Sequence, residues 1–234
     1  MTLRRVGEVA VVGALYHIPS GPHPDFVPLD VLTDILSSSP TGRLYKALVQ
    51  TKRAASLRGS SYALHDPGVI ELMAEVTPGN DARAVLNRLP DTIDDVIAKG
   101  VTEEEVKRIQ ARSLRQREQA SNDTSRLAVQ LSEWAAQGDW RMYFIYRDRL
   151  EKVTPADVQR VAKTYLVENN RTVGLFLPTK APVRTKIPAT PNLAEMIGDY
   201  KGGMTVGAGD ACDVAREQSA ALLRAPRTTA RHGR

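Results

Sequence analysis

Apolar residues near the start of the chain follow first strand spacing and then helix spacing. Residues 8–18 are apolar and β-branched and end at a Pro-Ser-Gly-Pro turn, which predicts a buried strand. Asp25 is expected to cap a helix, whose apolar positions at helical spacing are Phe26, Leu29, Leu32, Ile35 and Leu36. Residues 42–51 predict a second, short helix.

A hairpin and a long helical stretch complete the pattern. Residues 54–64 and 69–77 are strand candidates, and the Pro-Gly break between them predicts a hairpin. The chain is then helical for about ninety residues, with a capping box predicted at Thr102–Glu105 and a helix start at Thr154. Residues 171–177 predict the last strand, so the expected order is β-α-α-β-β, four helices and β.

This order predicts an α+β fold with a mostly antiparallel sheet and helices packed on one face. The domain is expected to cover residues 1–178. Residues 179–200 are rich in proline and predict an extended linker, and residues 201–234 are rich in Gly, Ala and Arg and are expected to be disordered.

The second predicted helix of the long helical stretch is strongly charged. Its basic residues are Lys107, Arg108, Arg112, Arg115 and Arg117. We interpret them as a solvated face with Glu–Arg pairs along it.

Composition and charge exclude several classes of function. The 234 residues are 42% hydrophobic and 25% charged, which is ordinary for a globular protein, and no apolar run approaches the length of a membrane span. The net charge is +5, but residues 201–234 contribute +3 of it, which argues against a basic nucleic-acid-binding face on the domain. Cys212 is the only cysteine, so no internal disulfide is expected.

No catalytic set is visible in the sequence. The chain has four histidines, but neither His-Glu-x-x-His nor the inverted His-x-x-Glu-His zinc motif is present. His17 and His23, with Asp25 nearby, are an alternative metal site, although a turn leading into a helix cap is the favoured interpretation. There is no Gly-x-Ser-x-Gly nucleophile elbow. We therefore predict no catalytic and no metal-binding residue in this chain.

Several blocks of sequence, taken in order, resemble the C-terminal domain of M16 (pitrilysin/insulinase-like) zinc metallopeptidases. They are Tyr16–Pro19, His23–Asp25, Gly42–Val49, Leu131–Trp140, Arg147–Val158 and Asn170–Phe176. The resemblance covers about residues 3–205.

The resemblance implies a role as the non-catalytic half of such a peptidase. In this family one half carries the zinc motif, and the next half lacks it and closes over an unfolded peptide. The expected partners are therefore a zinc-bearing M16 half, on the same or a separate chain, and an unfolded peptide. Zinc would belong to the partner half, and this chain is expected to be inactive alone.

This sequence departs from the family at the substrate clamp. Family members supply an arginine and a tyrosine in a Leu-Arg-x-Lys-x-x-x-x-Tyr pattern. If Leu48 aligns with that leucine, Val49 and Ser56 occupy the two positions. The nearest replacement candidates for substrate binding are Arg43, Tyr45, Arg53 and Tyr62.

Three alternatives stay open from the sequence. The chain could be a structural or interaction subunit without a proteolytic role, or a truncated gene product whose tail comes from a frame shift. A basic tail that binds an anionic partner is the third. The bacterial periplasm and the cytoplasm both remain open as compartments.

Overall fold

The computed structural model describes residues 1–181 and 185–200. Its strands are β1 (Thr2–Arg5), β2 (Val11–Ile18), β3 (Ala54–Ser61), β4 (Gly68–Val76) and β5 (Arg171–Pro178). Its α-helices are α1 (Phe26–Ser37), α2 (Ala82–Lys99), α3 (Glu103–Ser121), α4 (Thr124–Ala136), α5 (Met142–Leu150), α6 (Pro155–Tyr165) and α7 (Leu193–Ile197). A π-helical turn (Tyr45–Gln50) and a 3-10 turn (Glu168–Asn170) complete the described elements.

The five strands form one sheet in the order β1-β5-β2-β4-β3. The β2–β4, β2–β5 and β3–β4 pairs are antiparallel, and the β1–β5 pair is parallel. The mostly antiparallel α+β fold predicted from the sequence is therefore confirmed.

Helices cover one face of this sheet. Alternate side chains of β2 and β4 are buried, which is the pattern of strands with one face on a core. The core on that face is built mainly against α1, α2 and α6. The opposite face of the sheet carries the other half of each strand's side chains and has no helix packed on it among residues 1–181.

The first strand and the number of helices differ from the sequence-based expectation. β1 was not predicted, because its four residues are all exposed and carry no alternating pattern. Five helices rather than four lie between β4 and β5. The predicted short helix at residues 42–51 is present, but its main part, Tyr45–Gln50, is π-helical.

Local capping explains where several helices begin. Thr102 and Glu105 form the predicted capping box at α3, and Thr154 and Asp157 form another at α6. Asp25 stands at the predicted N-cap position of α1, but its side chain makes no cap hydrogen bond to the helix. The Asp25 carboxylate instead accepts hydrogen bonds from Arg160 at 2.7 Å and Tyr165 at 2.9 Å, which ties α1 to α6.

The charged helix α3 is not a uniformly solvated face, which corrects the sequence-based interpretation. Arg112 pairs with Asp34 of α1 at 2.8 Å, and Arg117 is half-buried against α5. Lys107 makes the expected pair along the helix, with Glu103 at 2.6 Å. The difference arises because α3 packs against both α1 and α4, so that some of its basic side chains lie at these contacts and others face solvent.

The described residues divide into one unit at residues 1–181 and a second unit at residues 185–200. In the second unit, the short helix α7 interrupts the segment predicted to be an extended linker. The expectations for residues 201–234, including Cys212, lie outside the described residues. Within the described ranges, none of the helices has the length and apolar character that crossing a bilayer requires.

Candidate functional site

The open face of the sheet carries a shallow apolar groove across β1, β5, β2 and β4. Its volume is about 360 Å³. Gly13 on β2 lies directly opposite Gly174 on β5, so the floor of the groove has no side chains at this point. Leu3 and Met73, at opposite ends of the groove, are 38% and 40% exposed, which leaves apolar surface uncovered in this domain.

Arg43, a candidate for substrate binding, makes an ion pair inside the domain. Its Nε and Nη2 donate to the two carboxylate oxygens of Glu105 at 2.9 and 2.8 Å, and both side chains are largely shielded from solvent. Glu105 also closes the capping box of α3, so Arg43 holds the π-helical turn against the start of this helix. Arg43 and the Thr102 cap lower the pKa of Glu105 to about 2.

The other three candidates lie in different places. Tyr45 is partly buried in the π-helical turn, and Arg53 is exposed just before β3. Tyr62 follows β3 and is 43% exposed, with its hydroxyl 3.5 Å from Glu71 Oε2. No described hydrogen bond joins any of these side chains to Arg43 or to one another, and their role in substrate binding stays a prediction.

Replacing Arg43 with alanine is expected to lower the free energy of unfolding by about 1.5 kcal/mol at neutral pH. A carboxylate with a depressed pKa stabilises the folded state above its unfolded pKa, and this stabilisation is lost as the pH falls. The difference between wild type and Arg43→Ala should therefore shrink between about pH 5 and pH 2. Urea unfolding of both proteins at several pH values measures this difference in the free energy of unfolding.

Lys99→Ala is the control for that series, because Lys99 makes an exposed pair with Asp95 at 2.8 Å. Its effect should stay within about 0.5 kcal/mol. An Arg43→Ala loss that is equally large at pH 2 and pH 7 would show that Arg43 stabilises the fold by packing and not through Glu105.

The histidines do not form a zinc site in the described part of the chain. His23 Nδ1 accepts a hydrogen bond from the Asp25 backbone N–H at 3.1 Å, and the Asp25 carboxylate is held by Arg160 and Tyr165. His17 is exposed on the open face of the sheet, and His65 is exposed beside Asp66. Residues 1–181 and 185–200 contain no group of three or more potential ligands close enough to hold a metal ion. The described residues therefore do not fit zinc.

A polar cluster that sequence analysis missed lies in a cleft between α1, α3, α4 and α5. The carboxylate of Asp30 accepts hydrogen bonds from the hydroxyls of Ser61 and Tyr146. Burial raises the pKa of Asp30, and burial also raises the pKa of Tyr146. Asp30 and Asp34, four residues apart in a largely apolar helix, are the only local signal of this cluster in the sequence.

Arg117 is the cationic member of the same cluster. Its guanidinium lies 3.9 Å from the centre of the Tyr143 ring and 5.0 Å from that of Tyr146, and Nη2 donates to the Tyr143 carbonyl. Burial lowers the pKa of Arg117. The cluster joins α1, α3, α5 and the end of β3, and its contacts are those of a structural network.

The architecture thus defines an α+β half-domain with one covered and one open sheet face. The sequence model of the peptidase M16 inactive domain matches residues 3–113. The inactive peptidase domain of a candidate zinc protease from Bordetella parapertussis is 40% identical to this chain. The match covers 79% of this chain and 99% of that one, with a TM-score of 0.70. A candidate zinc protease from Bordetella pertussis is 39% identical, over 73% of this chain and 94% of that one, with a TM-score of 0.67.

A longer protein shares the fold alone. A protease from Helicobacter pylori is 21% identical, with a TM-score of 0.72 over 76% of this chain but only 43% of its own length. None of the curated proteins matches the chain significantly. The chain belongs to the family of inactive M16 peptidase domains, and it is a non-catalytic domain of that family.

Proposed function

We propose that this domain closes a peptide-binding chamber over a separate M16 half that carries zinc. The observation that carries the proposal is the open face of the sheet with its apolar groove. An uncovered apolar surface of this kind is typical of a site that meets another molecule. Helices bury the opposite face, so the open face is the side of the domain on which a partner and a peptide would be enclosed.

The relatives support a division of labour between two halves. The Bordetella domain that is 40% identical is an inactive peptidase domain, and it belongs to a candidate zinc protease. The Helicobacter protease contains the same fold within a chain more than twice as long as the matched part. A zinc ion in the other half would polarise the scissile carbonyl and activate water. The present chain would contribute binding surface and exclusion of solvent.

A structural role without proteolysis is the second candidate. The observation that favours it is that Arg43, one of the four candidates for substrate binding, is bound to Glu105. If Leu48 aligns with the leucine of the family pattern, Val49 and Ser56 stand where that pattern has its arginine and tyrosine. Such a subunit would bind its partner but leave the rate of peptide cleavage unchanged.

Light scattering on the chain mixed with a His-x-x-Glu-His half-domain from the same genome tests the proposal. We expect a complex with one copy of each chain, and we expect each chain alone to keep its own mass. A mixture that shows only the two separate masses at concentrations of about 100 μM would contradict the proposal.

A further inference from the structure

The cleft between α1, α3, α4 and α5 contains two opposite charges that are not paired with each other. Its volume is about 340 Å³, at the small end of the range of ligand pockets, roughly 300–1,000 Å³. The charged side chains that line it are Asp30, Asp34 and Arg117. Asp34 is already paired, because Arg112 binds its carboxylate at 2.8 Å. In the described part of the chain neither Asp30 nor Arg117 has a salt-bridge partner, so one charge of each sign is available to a ligand.

The Asp30 carboxylate is held in place but keeps acceptor sites for a ligand. Ser61 donates a hydrogen bond to Oδ1, and Tyr146 donates one to Oδ2. The two oxygens of a carboxylate have about four lone-pair sites in all, so about two remain. Burial raises the pKa of Asp30, and the two hydroxyl donors oppose that shift. A cationic group of a ligand beside the carboxylate would favour the ionised form in the same way.

Arg117 is also held in place with part of its hydrogen-bonding capacity unused. Its guanidinium stacks on the Tyr143 ring, and Nη2 donates to the Tyr143 carbonyl. A guanidinium has five N–H donors, and no other described hydrogen bond uses those of Arg117. One edge of the planar group is therefore free for a carboxylate that accepts two hydrogen bonds. Arg147, the other cation that acts on Arg117, does not line the cleft and pairs with Asp148 at 2.8 Å.

The two free charges lie close enough together for one small molecule to contact both. Tyr146 donates its hydroxyl to Asp30, and the centre of its ring lies 5.0 Å from the Arg117 guanidinium carbon. Gln130 adds an acceptor to the same cleft, because its Oε1 is buried and has no hydrogen-bond partner in the described part of the chain. A buried acceptor without a partner is costly, so a ligand N–H that bonds to it would be stabilised.

We propose that this cleft binds a free α-amino acid, with its ammonium group on Asp30 and Gln130 and its carboxylate on Arg117. An ammonium group has three donors, and a carboxylate matches one edge of a guanidinium, so the zwitterion pairs both charges at once. A purely anionic ligand would be repelled by Asp30, and a purely cationic one by Arg117. An uncharged ligand would leave both charges without a partner.

The cleft also has apolar surface for the side chain of the amino acid. Phe26, Ala63 and Trp134 supply this surface, which suits an aliphatic side chain such as that of leucine. The cleft lies among the helices and not on the open face of the sheet. The inference therefore does not rest on the proposed function, and binding can be measured on the chain alone.

Isothermal titration calorimetry of the full chain with L-leucine tests the proposal. We expect one saturable site with a Kd below about 1 mM. The matched analogues are 4-methylpentanoate, which lacks the ammonium group, and 3-methylbutylamine, which lacks the carboxylate. Each analogue should bind at least about tenfold more weakly, because one of the two charge pairs is lost.

Ser113→Leu places a large side chain in the cleft. Ser113 is half-buried on α3, lines the cleft and makes no described side-chain hydrogen bond, and leucine is a good helix former. We expect this variant to fold and to bind L-leucine at least about tenfold more weakly. Ala111→Leu is the control, because it adds the same side chain at an exposed position of α3 outside the cleft.

Gln130→Met tests the buried acceptor without filling the cleft. Methionine is unbranched and of similar length, and it removes an acceptor that has no partner in the unliganded domain. The variant should melt at or above the wild-type temperature and bind L-leucine several-fold more weakly, because one hydrogen bond to the ligand is lost. Gln119→Met is the matched control, since Gln119 is exposed on α3 and does not line the cleft.

Three results would overturn the proposal. The first is no saturable binding of L-leucine at concentrations up to about 10 mM. The second is binding of either analogue as tightly as L-leucine, and the third is a folded Ser113→Leu that binds L-leucine like the wild type. Binding of D-glucose but not of L-leucine would assign the cleft to uncharged polyols instead. Failure of complex formation with the zinc-bearing half bears only on the proposed function.

Discussion

Replacing Gly42 with alanine is expected to lower the free energy of unfolding by about 3 kcal/mol or more. A Cβ atom at this position would lie 2.7 Å from the Leu36 carbonyl oxygen, 2.7 Å from the Ser38 nitrogen and 2.8 Å from the Ser38 oxygen. All three are backbone atoms, so no side chain can rotate away to relieve the contact. The end of α1 and the start of the π-helical turn would have to separate.

Urea unfolding followed by circular dichroism measures this effect, with Gly174→Ala as the control. Gly174 has no atom within 4 Å of its Cβ position, so the same chemical change should cost nothing or stabilise the strand slightly. Equal losses for the two variants would mean that the close approach at Gly42 does not limit the fold. Gly42 also affects Arg43, which is the next residue, because the ion pair between Arg43 and Glu105 holds the same turn in place.

Replacing Arg117 with alanine is expected to lower the free energy of unfolding by about 2–4 kcal/mol. The reason is that the side chain no longer stacks on the Tyr143 and Tyr146 rings and no longer donates a hydrogen bond to the Tyr143 carbonyl. Asp30 would also lose the favourable interaction with this nearby cation. The expected result is a lower urea midpoint with little change in the slope of the transition, because stability changes and the surface exposed on unfolding does not.

Arg115→Ala is the matched control for this prediction. Arg115 lies on the same helix but is exposed, so its removal should change stability by less than about 0.5 kcal/mol. If Arg115→Ala were as destabilising as Arg117→Ala, the effect would belong to the charge of α3 as a whole. The cluster around Asp30 would then not be the cause.

Features encoded by neighbouring residues were predictable from the sequence. The capping boxes at Thr102 and Thr154 were recognised, because each is complete within four residues. The β3–β4 hairpin was recognised from its Pro-Gly break, since a turn of this kind fixes antiparallel pairing locally.

Features that depend on distant pairing were not predictable. β1 pairs with β5 near Leu175, at the other end of the domain, and its exposed residues give no periodic signal. Arg117 was placed on a solvated face because its partners Tyr143 and Tyr146 belong to another helix. The groove depends on the register that sets Gly13 against Gly174, which only the folded sheet reveals.

Peptidase activity on a quenched, unfolded peptide in the presence of zinc tests the central claim most directly. The chain alone, the zinc-motif half alone and their mixture are compared at equal concentrations. The account predicts no activity from the chain alone and an increase in the mixture over the zinc-motif half by itself. Activity from the chain alone, or a mixture no more active than the zinc-motif half, would contradict the account.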